Sequence, residues 1–169
     1  MKKLTIILLA AAVALSGLSA ASAAYAVRTA SASIEAIGQV RYDEESRAAL
    51  DEADAAVARL DPNLNLESRV ENLDELESAK AEYVRLAIKT AVVANQRRTA
   101  DGITDEEIRQ RIADARAAAD AYIPGDELEQ LPNYEDLVWL ELRYAPSEES
   151  APAKAEPESG QGTVVVPLC

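Results

Sequence analysis

Apolar residues recur at helical spacing in four stretches of this chain. Ala49, Ala53, Val57 and Leu60 form an i, i+4, i+8, i+11 stripe, with Asp51, Glu52, Asp54 and Arg59 on the other face. The pattern predicts an amphipathic helix that Asp43 or Ser46 can cap and that Asp61-Pro62-Asn63 stops, because proline disfavours helix in the residue before it. Leu73, Leu76, Ala79, Tyr83, Leu86, Thr90 and Val93 predict a long second helix from Leu73 to Ala100. Asn72 with Glu75 is a capping-box-like start for it, and Gly102 supplies the left-handed end. Thr104 with Glu107 is a second capping box, opening a helix with Ile108, Ile112, Ala115, Ala119 and Tyr122 on one face. Pro124-Gly125 breaks that helix, and a last one runs from Asn133 to Tyr144.

The pattern is written twice. Leu50, Ala53, Val57 and Leu60 are matched 62 positions later by Ile112, Ala115, Ala119 and Tyr122, and Pro62 by Pro124. After a one-residue deletion, Val70, Asn72, Leu76 and Tyr83 match Leu131, Asn133, Leu137 and Tyr144. A period of this length predicts a duplicated helical module. The expected fold is therefore all-α, with two tandem three-helix-bundle-like modules over residues 27–102 and 103–144. A Pro-, Ala- and Glu-rich tail, 145–169, cannot bury enough apolar surface to fold and reads as disordered.

The ends add a compartment. Met1-Lys2-Lys3 is basic, Leu4 to Leu18 is apolar but short of the roughly 20 residues a span needs, and Ala21-Ser22-Ala23 and Ala24-Tyr25-Ala26 fit small-x-small cleavage. Residues 1–26 thus read as a secretory signal peptide, cleaved after Ala23 or Ala26, with no membrane span left after its removal. Arg28 to Ser33, small and polar, reads as a flexible lead-in, and Gly38 as a turn. Cys169, the single cysteine, permits no intramolecular disulfide.

Charge and composition remove whole classes of function. Thirty acidic residues against 17 basic ones give a net charge of -13, which disfavours nucleic-acid partners. Histidine is absent, and with it the usual general base and the commonest metal ligand. No phosphate-binding loop occurs. No enzyme activity and no cofactor are expected. Asp61, Asn63, Asn65 and Glu67 alternate as a calcium loop begins, but Leu66 replaces the sixth-position glycine and Asn72 the twelfth-position glutamate, so turn chemistry is the better reading and no metal is expected. Trp139, aligned with Ser78 off the buried stripe, and Tyr134 are the candidate binding aromatics. Tyr122 and Tyr144, aligned with Leu60 and Tyr83, belong to the core.

Ile34-Glu-Ala-Ile-Gly-Gln-Val40, Ala53 to Leu60, Val70-Glu-Asn-Leu-Asp-Glu-Leu76 and Ala79 to Tyr83 resemble the FIVAR-like helical modules of Gram-positive surface proteins. The match covers Ile34 to Leu86 well and the second copy loosely. Val57 stands where the family has an aromatic, and the segment that is Lys-rich in the family is acidic here. The resemblance implies small three-helix bundles with spacer, adhesive or carbohydrate-associated roles and no catalytic residues. The expected function is a secreted, non-enzymatic surface protein that contacts another protein or cell-wall polysaccharide. Glycan recognition through Trp139 and an extracytoplasmic helical chaperone or adaptor are the alternatives. Oligomeric state is left open by the sequence.

Overall fold

The computed structural model describes residues 21–145, and all of the regular structure there is helical. Helix α1 covers residues 21–35 of that range. It is followed by α2 (Glu44–Ala58), α3 (Leu73–Asp101), α4 (Asp105–Tyr122) and α5 (Tyr134–Tyr144), with short 3-10 turns between. The leader residues 1–20, the tail beyond Ala145 and Cys169 lie outside the described residues. Both expected cleavage points, after Ala23 and after Ala26, fall within α1. Among the described residues no helix is long and apolar enough to cross a membrane.

The caps follow the sequence closely, with one exception. Asp43 accepts a hydrogen bond from the Ser46 backbone N–H at 2.8 Å, and the buried Ser46 hydroxyl accepts one from the Arg41 N–H at 3.0 Å. Thr104 and Glu107 close a reciprocal capping box, satisfying two backbone N–H groups that a helix start leaves without partners. Gly102 ends α3 at φ +67, and Gly38 turns the chain at φ +60, conformations that side chains with a Cβ disfavour. The exception is Asn72. It sits at the N-cap of α3 but its Oδ1 accepts no capping bond, and its Nδ2 donates to the Ser31 carbonyl of α1 at 3.1 Å.

That detail shows how the duplication is built. Asn133, the equivalent of Asn72, also forgoes capping and donates from Nδ2 to the Arg85 carbonyl of α3 at 3.0 Å. The backbone matches as well. Asn72 has φ -111 and ψ 27, and Asn133 has φ -120 and ψ 17. The 3-10 turns Glu67–Arg69 and Leu128–Gln130 precede them at the same spacing. In both copies the amide Oδ1 is buried without a hydrogen-bond partner.

The two asparagines identify which helix serves each copy. In the first, α3 leans on α1; in the second, α5 leans on the C-terminal half of α3. Ala30 and Ile34 of α1, with Ile37 in the turn after it, correspond in register to Val84, Ile88 and Ala91 of α3, and all six are buried. The second copy thus has no first helix of its own. α3 ends the first three-helix unit and begins the second, and one cluster of buried side chains runs from Ala30 to Tyr144 across the helix end at Gly102.

Two expectations change here. Arg28 to Ser33 is not a flexible lead-in but part of α1, with Ala30 fully buried. The stripe Ala30, Ile34, Ile37 outweighs the weak helix preference of Ser and Thr around it, and Thr29 donates its hydroxyl to the Tyr25 carbonyl at 3.0 Å. The buried face of α3 also differs from the expected stripe. Leu76 and Tyr83 are buried as predicted, but beyond them the face runs through Val84, Ala87, Ile88, Ala91 and Ala94. Leu86 and Thr90 are only half-buried, and Val93 is exposed. A helix shared by two units must bury two faces, and a single stripe cannot describe it.

Candidate functional site

Three of the six tyrosines meet at one place. Tyr42 enters from the turn before α2, Tyr83 from α3 and Tyr122 from the end of α4. The Tyr42 and Tyr83 ring centroids lie 5.3 Å apart, and Tyr83 meets Tyr122 edge-on at 5.6 Å. Such tilted and T-shaped pairs place a ring edge on a neighbour's electron-rich face. Together they floor a groove of about 380 Å³ between α2 and α4. Glu44, Arg47 and Asp51 come from α2, spaced on one helical face, and Asp114 comes from α4. Ala117, Ala118 and Ala121 line the α4 wall, and their small side chains leave the groove open.

The tyrosine hydroxyls are not equivalent. Tyr122 donates to Asp51 Oδ1 at 2.7 Å, tying the end of α4 to the middle of α2. Tyr144, the repeat equivalent of Tyr83, donates to Asn95 Oδ1 at 2.7 Å. Tyr83 itself is 5% exposed, and its hydroxyl, unlike those of Tyr122 and Tyr144, forms no hydrogen bond with another described residue. It keeps both its donor and its acceptor at the groove floor.

Burial pushes all three phenols above their ordinary value, aided at Tyr42 by the Asp114 charge, at Tyr83 by Tyr42, and at Tyr122 by the hydrogen bond to Asp51. The folded protein therefore holds protons that the unfolded chain releases near pH 10. The stability they contribute is fully present below that pH and is lost as pH rises through the folded values. In a spectrophotometric alkaline titration, these tyrosines are expected to ionise late and together with loss of the helical circular dichroism. Ionisation of these three at the ordinary value, with helix intact, would contradict this packing.

The sequence-predicted binding residues lie elsewhere. Trp139 and Tyr134 are both on α5 but about 140° apart around its axis, so they do not form one surface. Trp139 is 50% exposed, with the Arg143 guanidinium 5.1 Å from its ring centroid. Tyr134 packs against the core, with Arg116 5.5 Å from its ring. In the connector after α2, Asp61 accepts from the Asn63 N–H at 2.9 Å and Asn65 takes the left-handed conformation at φ 48. These are the contacts of a turn that caps itself, and Glu67 begins the next 3-10 turn.

Sequence reading assigned Tyr83 and Tyr122 to the core, correctly by burial. Nothing along the chain links Tyr42, Arg47 and Asp51 to Tyr122, 71 residues beyond Asp51. No known protein family, curated protein or solved structure matches this chain.

Proposed function

We propose that the chain is a non-enzymatic helical scaffold and adhesive module acting outside the cytoplasm at a Gram-positive cell surface. The observation that carries this reading is the shared helix. A unit duplicated through α3 extends one continuous core and its outer faces, which suits a spacer or a protein-contacting surface. The leader-like N-terminus and the FIVAR-like residues quoted above support the location. The missing histidine supports a non-catalytic role, as do polar side chains committed to joining helices, such as Tyr122 to Asp51 and Arg116 to Glu141.

Glycan recognition is the second reading, favoured by the exposure of Trp139 and of Leu142 one turn on. Against it, a guanidinium already lies over the Trp139 ring, where a sugar would stack. The test is co-sedimentation of the purified protein with cell-wall sacculi, alongside the Trp139→Ala variant. The scaffold reading expects surface retention that the substitution leaves unchanged. Retention lost with Trp139→Ala would move the function to glycan binding. No retention of either form would remove the adhesive role.

A further inference from the structure

The tyrosine groove holds more than its structural contacts require. Tyr144 uses its hydroxyl to bind α5 to α3, whereas the equivalent Tyr83, in the lining of the groove, makes no such bond to a described residue. Elsewhere aromatic rings have attracted a guanidinium: Arg116 lies over Tyr134, and Arg143 over Trp139 and Tyr144. No cation lies over Tyr42, Tyr83 or Tyr122 among the described residues. The groove's lining carboxylates, Glu44, Asp51 and Asp114 among them, outnumber its one lining cation, Arg47. Electron-rich ring faces beneath an excess of negative charge are the chemistry that recognises an organic cation. At about 380 Å³ the space is at the small end for ligand sites and suits one long side chain better than an oligosaccharide.

We infer that this groove receives an arginine side chain from a basic segment of a partner protein, its guanidinium set against the tyrosines and paired with Glu44 and Asp51. A planar guanidinium can lie on a ring face and still offer edge donors to a carboxylate and to the Tyr83 oxygen. The net charge of -13 draws such a segment in from solution. The inference deepens the protein-contacting reading above and rests on it. Arg47, at the same rim, acts as a competing cation that sets how tightly the incoming arginine is held.

The test titrates the purified, isotope-labelled protein with an acetylated, amidated Gly-Arg-Gly peptide, its citrulline counterpart, and a neutral chitotriose, following backbone amide resonances. The arginine peptide is expected to shift Tyr42, Arg47 and Ala118. The citrulline peptide, with the same shape and no charge, should bind about fivefold more weakly, and chitotriose should leave these resonances in place. Glu44→Gln and Tyr83→Phe should each weaken binding, with helical content unchanged. Arg47→Ala should strengthen it about threefold by removing the like charge. Equal binding of the citrulline peptide, shifts caused by chitotriose, or weaker binding in Arg47→Ala would each overturn the inference. Sacculus retention separates this outcome from the surface role. Arginine binding without retention would sink the surface role alone, and retention without arginine binding the groove alone.

Discussion

Leu76→Ala and Leu137→Ala are each expected to lower the unfolding free energy by about 2–5 kcal/mol, the cost of a buried leucine's lost contacts plus the cavity left behind. Both side chains are fully buried at repeat-equivalent positions, one turn into α3 and one turn into α5. For a domain stable by about 5–15 kcal/mol, either loss is a large fraction of the total. The more telling feature is where the loss registers. The single Trp, Trp139, reports from α5, while far-ultraviolet circular dichroism reports from all the helices. Because α3 is common to both units, Leu76→Ala should move the tryptophan fluorescence midpoint in denaturant as far as the circular dichroism midpoint. A fluorescence transition that ignored Leu76→Ala would mean that the two units unfold independently, against the continuous core seen from Ala30 to Tyr144.

How far the sequence foretold this architecture depends on how many partners each helix has. α4 was fully legible: Ile108, Ile112, Ala115, Ala119 and Tyr122 form one period-true stripe, and all five are buried. Its cap box was legible too, because capping depends on residues within one turn. α3 was legible in extent but not in face, since its C-terminal half substitutes for a first helix and Ala87, Ala91 and Ala94 carry little periodic contrast. α1 escaped notice for a related reason. Its Ala30 and Ile34 match Val84 and Ile88 only at a spacing that crosses the more obvious repeat. The groove was not legible at all, because Tyr42, Tyr83 and Tyr122 come from three separate elements, and Tyr83 and Tyr122 each have a sufficient local explanation in a helix stripe. Proximity supplied what periodicity could not.

Exchanging the charges of Asp54 and Lys80 should be tolerated where changing either alone is not. In the first unit Lys80 is nearly buried in α3, and its Nζ lies 2.5 Å from Asp54 of α2 and 3.2 Å from Glu77. Burial works to lower the Lys80 pKa, but the hydrogen bond and charge of Asp54, then Glu77, outweigh it and keep the ammonium charged. The second unit presents the same pair with signs reversed. Arg116 of α4, the repeat equivalent of Asp54, makes two hydrogen bonds of 2.7 and 2.6 Å to Glu141 of α5, the equivalent of Lys80. The packing between the second and third helices of a unit thus accepts either polarity but requires a pair. Asp54→Arg alone sets a second cation beside a nearly buried ammonium and should cost about 2–4 kcal/mol, as should Lys80→Glu with its carboxylate facing Asp54 and Glu77. The double variant should recover more than half of the summed loss, a coupling of about 1–3 kcal/mol for residues in direct contact. Denaturant midpoints for the wild type, both single variants and the double variant complete the cycle. Additive losses would show that the two ion pairs are incidental. Recovery would show that the duplicated units preserve an interhelical pairing whose sign is free to invert.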